Sequence, residues 1–158
     1  MKTCRSMLFV PATSERKVEK AFGGDADGVI LDLEDAIAVS QKAAARETLA
    51  ATLGAARGRK PAYVRVNATS TPYCFRDLMA LPLRDLAGIL LPKVEAAEEA
   101  WTVDWMLAQL EAEQGLAPRS VPVIAMIETA RGLTHIDAIA AATPRVTRLA
   151  WGTVDFAH

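Results

Sequence analysis

The run Gly28–Glu34 reads GVILDLE, an uninterrupted apolar stretch that ends abruptly in acidic residues. Strands buried on both faces of a parallel sheet have continuous apolar runs of this kind. Similar runs begin every 20 to 35 residues or so along the chain. They are Ser6–Pro11, Ala62–Asn67, Ala87–Lys93, Val121–Glu128 and Arg148–Asp155. We therefore predict six strands, each buried in one parallel sheet.

Segments with helical spacing of apolar residues separate the predicted strands. They are Ser14–Phe22, Ser40–Leu53, Thr71–Met79, Ala96–Glu113 and Leu133–Ala142. The longest carries Trp101, Trp105 and Leu110 on roughly one stripe, which we interpret as a core-facing surface. The alternation of strands and helices predicts an α/β fold with right-handed crossovers.

Two architectures fit this alternation. An open doubly wound sheet often carries a glycine-rich phosphate loop after its first strand, but the turn Pro11–Ser14 contains no glycine. The other architecture is a (β/α)8 TIM-type barrel, which needs eight strands and about 250 residues. With 158 residues and about six visible strands, we predict one incomplete barrel domain over residues 1–158.

Composition excludes several classes of protein. Hydrophobic residues make up 51% and charged residues 23%, which argues against a disordered chain. The formal charge of −1 offers no electrostatic field for nucleic acid or an anionic membrane. Cys4 and Cys74 do not form a disulfide framework, and the N-terminal apolar run stops at Pro11, too early for a signal peptide. We expect a cytoplasmic protein.

Charged and amide side chains stand at the end of nearly every predicted strand. They are Glu34, Asp35, Arg65, Asn67, Lys93, Glu128 and Asp155. Ligands bind at the carboxyl ends of strands in both architectures. Two carboxylates at one rim, Glu128 and Asp155, suit Mg²⁺, and Arg65 suits a substrate carboxylate.

Other interpretations of these residues remain open at this point. Glu128 and Asp155 are also explained as partners of helix dipoles, as are Glu34 and Asp35. Arg65 is also explained by a buried ion pair with Glu34 or Asp35. Lys93 is either an electrostatic contributor or a surface lysine at a strand end, and His135 fits a helical surface.

Six motifs together resemble the citrate lyase β-subunit and malyl-CoA lyase group of the HpcH/HpaI aldolase superfamily. They occur in family order and at family spacing, from Arg5 to nearly the last residue. They are RSMLFVPA at Arg5–Ala12, GVILDLEDAI at Gly28–Ile37, VRVN at Val64–Asn67, LPK at Leu91–Lys93, IETARG at Ile127–Gly132 and WGTVDFA at Trp151–Ala157.

The resemblance implies a barrel that binds Mg²⁺ and cleaves or forms a carbon–carbon bond beside a thioester of CoA or a carrier protein, with a 2-oxo acid as the other product. It implies that Glu128 and Asp155 hold the metal and that Arg65 holds the substrate carboxylate. The remaining matches are Phe9 and Lys20 on the thioester side, Val154 with its backbone at the substrate, and Glu34 and Asp35 as supporting acids. Relatives of this kind imply a homo-oligomer.

The chain also departs from the family pattern. The first turn reads PATS where PGSN-like turns are common, and the chain stops at His158, so we expect the C-terminal third of the barrel to be absent. That third would supply the last strands and an acidic residue for proton transfer. Two alternatives therefore stay open: a class II-type 2-oxo acid aldolase that uses no CoA, and an inactive truncated or regulatory fragment.

Overall fold

A computed structural model describes residues 4–156 of the chain and forms one parallel sheet flanked by helices. The strands are β1 Met7–Pro11, β2 Gly28–Asp32, β3 Ala62–Arg65, β4 Gly88–Leu91, β5 Val123–Ile127 and β6 Val146–Trp151. The helices are α1 Glu15–Gly23, α2 Lys42–Ala56, α3 Cys74–Met79, α4 Ala97–Glu113, α5 Ala130–Thr134, α6 Ile136–Ala141 and α7 Thr153–Phe156. Single 3-10 turns span Val39–Gln41 and Leu83–Asp85.

The strand order decides between the two architectures. The six strands lie side by side in the order β1-β2-β3-β4-β5-β6, and every neighbouring pair is parallel. A doubly wound sheet reverses its strand order at a switch point, whereas a (β/α)8 barrel adds strands in sequence. The described sheet is therefore an incomplete barrel wall, as predicted.

The two faces of the sheet bury different sets of side chains. One face packs against the helices and forms the larger core, which includes Val29, Leu31 and Val64. The other face corresponds to the barrel interior, and its smaller cluster consists of Ile30, Tyr63, Leu90, Ile124 and Met126. The register aligns Ile30 with Tyr63 and Leu90 with Ile124, so these side chains share that face.

The outer strands of the described sheet expose apolar side chains. Leu8 of β1 and Leu149 and Trp151 of β6 are all exposed. The register pairs them with Val29, Ala125 and Ile127, which are buried on the helix-covered face. Among the described strands, β1 and β6 each have one neighbour, so part of their surface stays uncovered.

The predicted core-facing stripe on α4 is wrong for its two tryptophans and correct for Leu110, which is buried. Trp101 and Trp105 are 52% and 65% exposed, while the buried residues of this helix include Ala100, Val103 and Leu107. Those buried positions follow the spacing i, i+3, i+7, so the two tryptophans lie on the flank of the apolar face.

None of the helices within residues 4–156 is long and apolar enough to cross a membrane.

Several predicted boundaries also shift. The side chain of Ser14 makes no capping hydrogen bond to α1, and α2 continues past Gly54 to Ala56. The last predicted helix is two short helices that meet at His135, which serves as the cap between them.

A buried ionic cluster closes the amino-terminal side of the sheet. We call Arg145, Glu111 and Asp104 the amino-end cluster. The Arg145 side chain is fully buried, and its Nη1 and Nη2 donate to Glu111 at 2.6 and 2.9 Å. Its Nε donates to Asp104 Oδ1 at 2.7 Å. Burial alone would raise the pKa of Glu111, but the hydrogen bonds and charge of Arg145, together with the backbone N–H groups of Val121 and Arg119, outweigh burial and lower the pKa to about 2.

Candidate active site

Parallel strands deliver seven charged side chains to one rim of the sheet. We call this set the rim cluster: Asp32, Glu34, Asp35, Arg65, Lys93, Glu128 and Asp155. Asp32 and Arg65 are the last residues of β2 and β3, and Glu128 directly follows β5. Lys93 follows β4 by two residues, and Asp155 lies in the short helix α7 after β6. The carboxyl ends of adjacent parallel strands meet at one edge, which places these groups together.

Arg65 is held in a fixed orientation. Its Nε and Nη2 donate to the two carboxylate oxygens of Asp32 at 2.8 and 2.7 Å, a bidentate pair. The ring of Phe9 lies 5.0 Å from the guanidinium carbon, in cation–π range. A guanidinium has five N–H donors, so the bonds to Asp32 leave three for other partners. Sequence analysis predicted an ion pair for Arg65 but missed Asp32 as its main partner.

Glu34 is buried between two cations. Its Oε1 accepts a hydrogen bond from Lys93 Nζ at 2.9 Å. Its Oε2 lies 3.1 Å from Arg65 Nη1, but the contact lacks hydrogen-bond geometry. Burial raises the pKa of Glu34 despite the hydrogen bond from Lys93. Asp35 is more exposed and lies farther from both cations, at 3.7 Å from Arg65 and 3.5 Å from Lys93.

Lys42 braces the chain directly after β2. Its ammonium is buried and donates to the backbone oxygens of Leu33 and Glu34 at 2.8 and 2.9 Å. Buried backbone carbonyls need a donor, so Lys42 holds the chain where it leaves β2. Asn67, another strand-end residue from the sequence, is a second brace: its Nδ2 donates to Leu33 O and to buried Asp77.

Glu128 is a buried carboxylate beside the exposed face of the rim. Only 4% of its surface is exposed, and its Oε2 accepts a hydrogen bond from the backbone N–H of Lys93 at 2.9 Å. Burial raises its pKa, and the nearby charge of Asp155 raises it further. Gly152 packs directly against this side chain, since a Cβ there would overlap Glu128 Cγ and Oε1.

The other predicted site residues lie in different places. Phe9 is 42% exposed and reaches the rim cluster through Arg65. Val154 is in α7, directly before Asp155. Lys20 is exposed in the last turn of α1. Because α1 returns from the carboxyl end of β1 to the amino end of β2, that turn faces away from the rim. The predicted roles of these three residues remain predictions.

The charges in the rim cluster do not balance. When all are ionised, five carboxylates face two cations within this set, and the buried ammonium of Lys42 adds one nearby positive charge, which still leaves an excess of negative charge. Within residues 4–156, no group of three or more His, Cys, Asp or Glu side chains is arranged to hold a metal ion by itself. Mg²⁺ does not require such a cage, because it commonly binds one or two carboxylates and keeps water or substrate in its other positions.

Comparison with known proteins identifies the family. A family model described as HpcH/HpaI aldolase/citrate lyase matches residues 5–158. The chain belongs to the HpcH/HpaI aldolase/citrate lyase family. This confirms the resemblance carried by the six sequence motifs.

Relatives within the family give more detail. An L-malyl-CoA/beta-methylmalyl-CoA lyase of Cereibacter sphaeroides is 37% identical over 160 residues, covering 97% of this chain and 49% of that protein. A (3S)-malyl-CoA thioesterase of the same species is 42% identical over 154 residues, covering 97% of this chain and 50% of that protein. The chain spans about half the length of these curated relatives.

A solved structure shows the same fold. The protein CitE from Mycobacterium tuberculosis, in complex with magnesium, acetoacetate and coenzyme A, superposes with a TM-score of 0.74 at 36% identity. The match covers 99% of this chain and 51% of that one. The similarity supports an incomplete barrel over the residues described here.

Proposed function

We propose that this chain carries the metal and carboxylate-binding part of a carbon–carbon lyase. The reaction is the reversible cleavage of a 3-hydroxyacyl thioester, such as malyl-CoA, citramalyl-CoA or citryl-CoA, into an acyl thioester and a 2-oxo acid. The observation that carries the proposal is the rim cluster, in which an oriented arginine lies among surplus carboxylates at the carboxyl ends of the strands.

The side chains present fit a magnesium ion. Glu128 and Asp155 are hard oxygen donors that follow the neighbouring strands β5 and β6, and the charge of Asp155 raises the pKa of Glu128. We propose them as the metal ligands. Magnesium bound there would supply Lewis-acid stabilisation of the negative charge that develops on the substrate's hydroxyl oxygen. The magnesium in the M. tuberculosis complex supports this choice of metal.

Arg65 would hold the substrate carboxylate. Its three remaining N–H donors permit a second charge-assisted interaction while Asp32 keeps the guanidinium plane fixed. Phe9 restricts the other side of that plane. An arginine with few accessible orientations loses little entropy when substrate binds, which favours productive alignment of the bond to be broken.

A second candidate function is hydrolysis of the thioester itself. The 42% identity to a (3S)-malyl-CoA thioesterase favours this candidate. Hydrolysis would use the same recognition of a short hydroxyacyl carboxylate by Arg65, but it would cut the carbon–sulfur bond instead of the carbon–carbon bond. The two reactions release different products: the lyase yields a 2-oxo acid, and the thioesterase yields free CoA.

The test measures both products from malyl-CoA, citramalyl-CoA and citryl-CoA, with and without Mg²⁺. We expect Mg²⁺-dependent release of a 2-oxo acid, and Arg65→Lys should reduce it strongly because lysine cannot form the bidentate pair. Release of free CoA alone would identify a thioesterase. A free 2-oxo acid aldolase would bind no CoA, and an inactive fragment would release neither product while retaining a cooperative melt.

Homo-oligomer formation and a cytoplasmic location remain predictions. A carrier-protein thioester also remains an alternative to CoA as the substrate. Assays with the same acyl group on CoA and on a carrier protein would separate the two possibilities, because the substrates then differ only in the group that bears the thiol.

A further inference from the structure

Lys93 contacts several acids of the rim cluster, although the proposed reaction assigns it no role. Its backbone N–H donates to Glu128 Oε2 at 2.9 Å. Its ammonium donates to Glu34 Oε1 at 2.9 Å and lies 3.1 Å from Asp155 Oδ2. Lys93 therefore contacts acids that come from three other parts of the chain.

We propose that Lys93 is a positioning residue whose ammonium is the built-in counter-ion of Glu34 and Asp155 and competes with the divalent cation for Asp155. This inference rests on the proposed function, because it takes Glu128 and Asp155 as the metal ligands. The backbone N–H and the side-chain ammonium of Lys93 then have different tasks.

The backbone of Lys93 has a fixed task. Its φ is 52°, in the left-handed region that non-glycine residues seldom adopt. Such conformations persist where surrounding contacts over-determine them, and they cluster at functional sites. Here the conformation directs the N–H at the buried carboxylate of Glu128. The backbone therefore keeps one proposed ligand in place whether or not metal is bound.

The side chain of Lys93 has a conditional task. About one third of the side chain is exposed, as is that of Asp155, so the ammonium can move toward water without leaving a buried cavity. The positive ammonium lies 3.1 Å from Asp155 Oδ2, so it opposes a second cation beside that carboxylate.

The experiment compares wild type with Lys93→Met by calorimetric titration with Mg²⁺ and by thermal melting in EDTA. Methionine keeps a side chain of similar length and the same backbone cost of a positive φ, but it removes the charge. We expect Mg²⁺ to bind about 10-fold more tightly to the variant, because one positive charge near the site is lost. We expect the metal-free melting temperature to fall, because Glu34 and Asp155 lose their cation.

Two further variants complete the design. Lys93→Arg keeps the positive charge and should retain an affinity close to wild type, and Lys17→Met removes an exposed charge from α1 and should change neither readout. If Lys93→Met does not fold, Lys93→Gln provides the same neutral comparison. Equal or weaker Mg²⁺ binding by the neutral variant overturns the inference alone. Absence of Mg²⁺ binding to wild type overturns both the inference and the proposed metal site.

Discussion

The rim cluster and the amino-end cluster lie at opposite ends of one sheet and use the same residue types. In the amino-end cluster, Glu111 accepts hydrogen bonds from Arg145 and from the backbone N–H groups of Arg119 and Val121. Its pKa is lowered to about 2. In the rim cluster, burial raises the pKa of both Glu34 and Glu128.

The difference lies in how completely each charge is compensated. Both oxygens of Glu111 have donors, so its negative charge is stabilised by the fold alone. Oε2 of Glu34 is buried with no hydrogen-bond partner, and the rim cluster retains surplus negative charge. Surplus charge that the fold leaves uncompensated is typical of a site that receives a ligand.

Glu111→Gln should have the largest effect on folding. The neutral amide would leave the buried guanidinium of Arg145 without its main counter-ion. Breaking a buried pair by removing one partner costs about 3–5 kcal/mol. We expect a loss of that size in the free energy of unfolding at pH 7, measured by urea denaturation.

The pH dependence identifies the cause of that loss. A carboxyl whose folded pKa lies below its ordinary value of 4.5 stabilises the fold above that value. The contribution is lost as pH falls from 4.5 toward 2. The difference between wild type and Glu111→Gln should therefore shrink over this range. A difference that is constant with pH would contradict an ionic origin.

Glu128→Gln should affect metal binding more than folding. Glutamine retains an oxygen that can accept from the N–H of Lys93, and it removes a buried charge that Asp155 opposes. We expect Mg²⁺ affinity to fall about 100-fold, the upper range for disturbed metal sites. Unchanged Mg²⁺ affinity in calorimetry would reject Glu128 as a ligand.

The metal-free fold gives the matching control for Glu128. Its folded pKa is raised, so its ionisation costs stability as pH rises above the ordinary value of 4.5. Relative to wild type, Glu128→Gln should therefore gain stability in EDTA as pH rises through that window, opposite in sign to Glu111→Gln. Measuring both variants at each pH sharpens the contrast between the clusters.

Gly152→Ala should have a smaller effect that is also confined to the rim. The added Cβ would overlap Glu128 and force its carboxylate to move. We expect Mg²⁺ affinity to fall about 10-fold, as for other changes that reorient a ligand. Gly54→Ala is the matched control, because its Cβ would meet no atom within 4 Å. Equal Mg²⁺ affinity in the two variants would contradict the positioning of Glu128 by Gly152.

The sequence predicted the parallel sheet well because most strands are short apolar runs, although β6 also contains Thr147 and Arg148. It predicted Glu34, Arg65, Glu128 and Asp155 as neighbours because the carboxyl ends of parallel strands share one rim. It could not assign partners among these charges. Asp32 was overlooked because it lies inside the strand run, although its inward position places it opposite Arg65 in the register.

Other misses come from tertiary geometry. The exposure of Trp101 and Trp105 depends on which side of α4 faces the sheet, and residue spacing alone did not determine that side. Lys93 remained ambiguous because its importance depends on a positive φ and on contacts with acids far away in sequence. A lysine that follows Leu91 and Pro92 at a strand end gives no local sign of either property.

The uniform direction of the strands also bears on how this molecule can change. Every turn that leaves a strand opens onto the rim, whereas Arg145 and Glu111 anchor the opposite side. Substitutions in those turns can alter the rim cluster without removing the pairing of Arg145 with Glu111. Natural or engineered substitutions can therefore change the rim at the carboxyl ends of the strands, while the amino-end cluster continues to stabilise the fold.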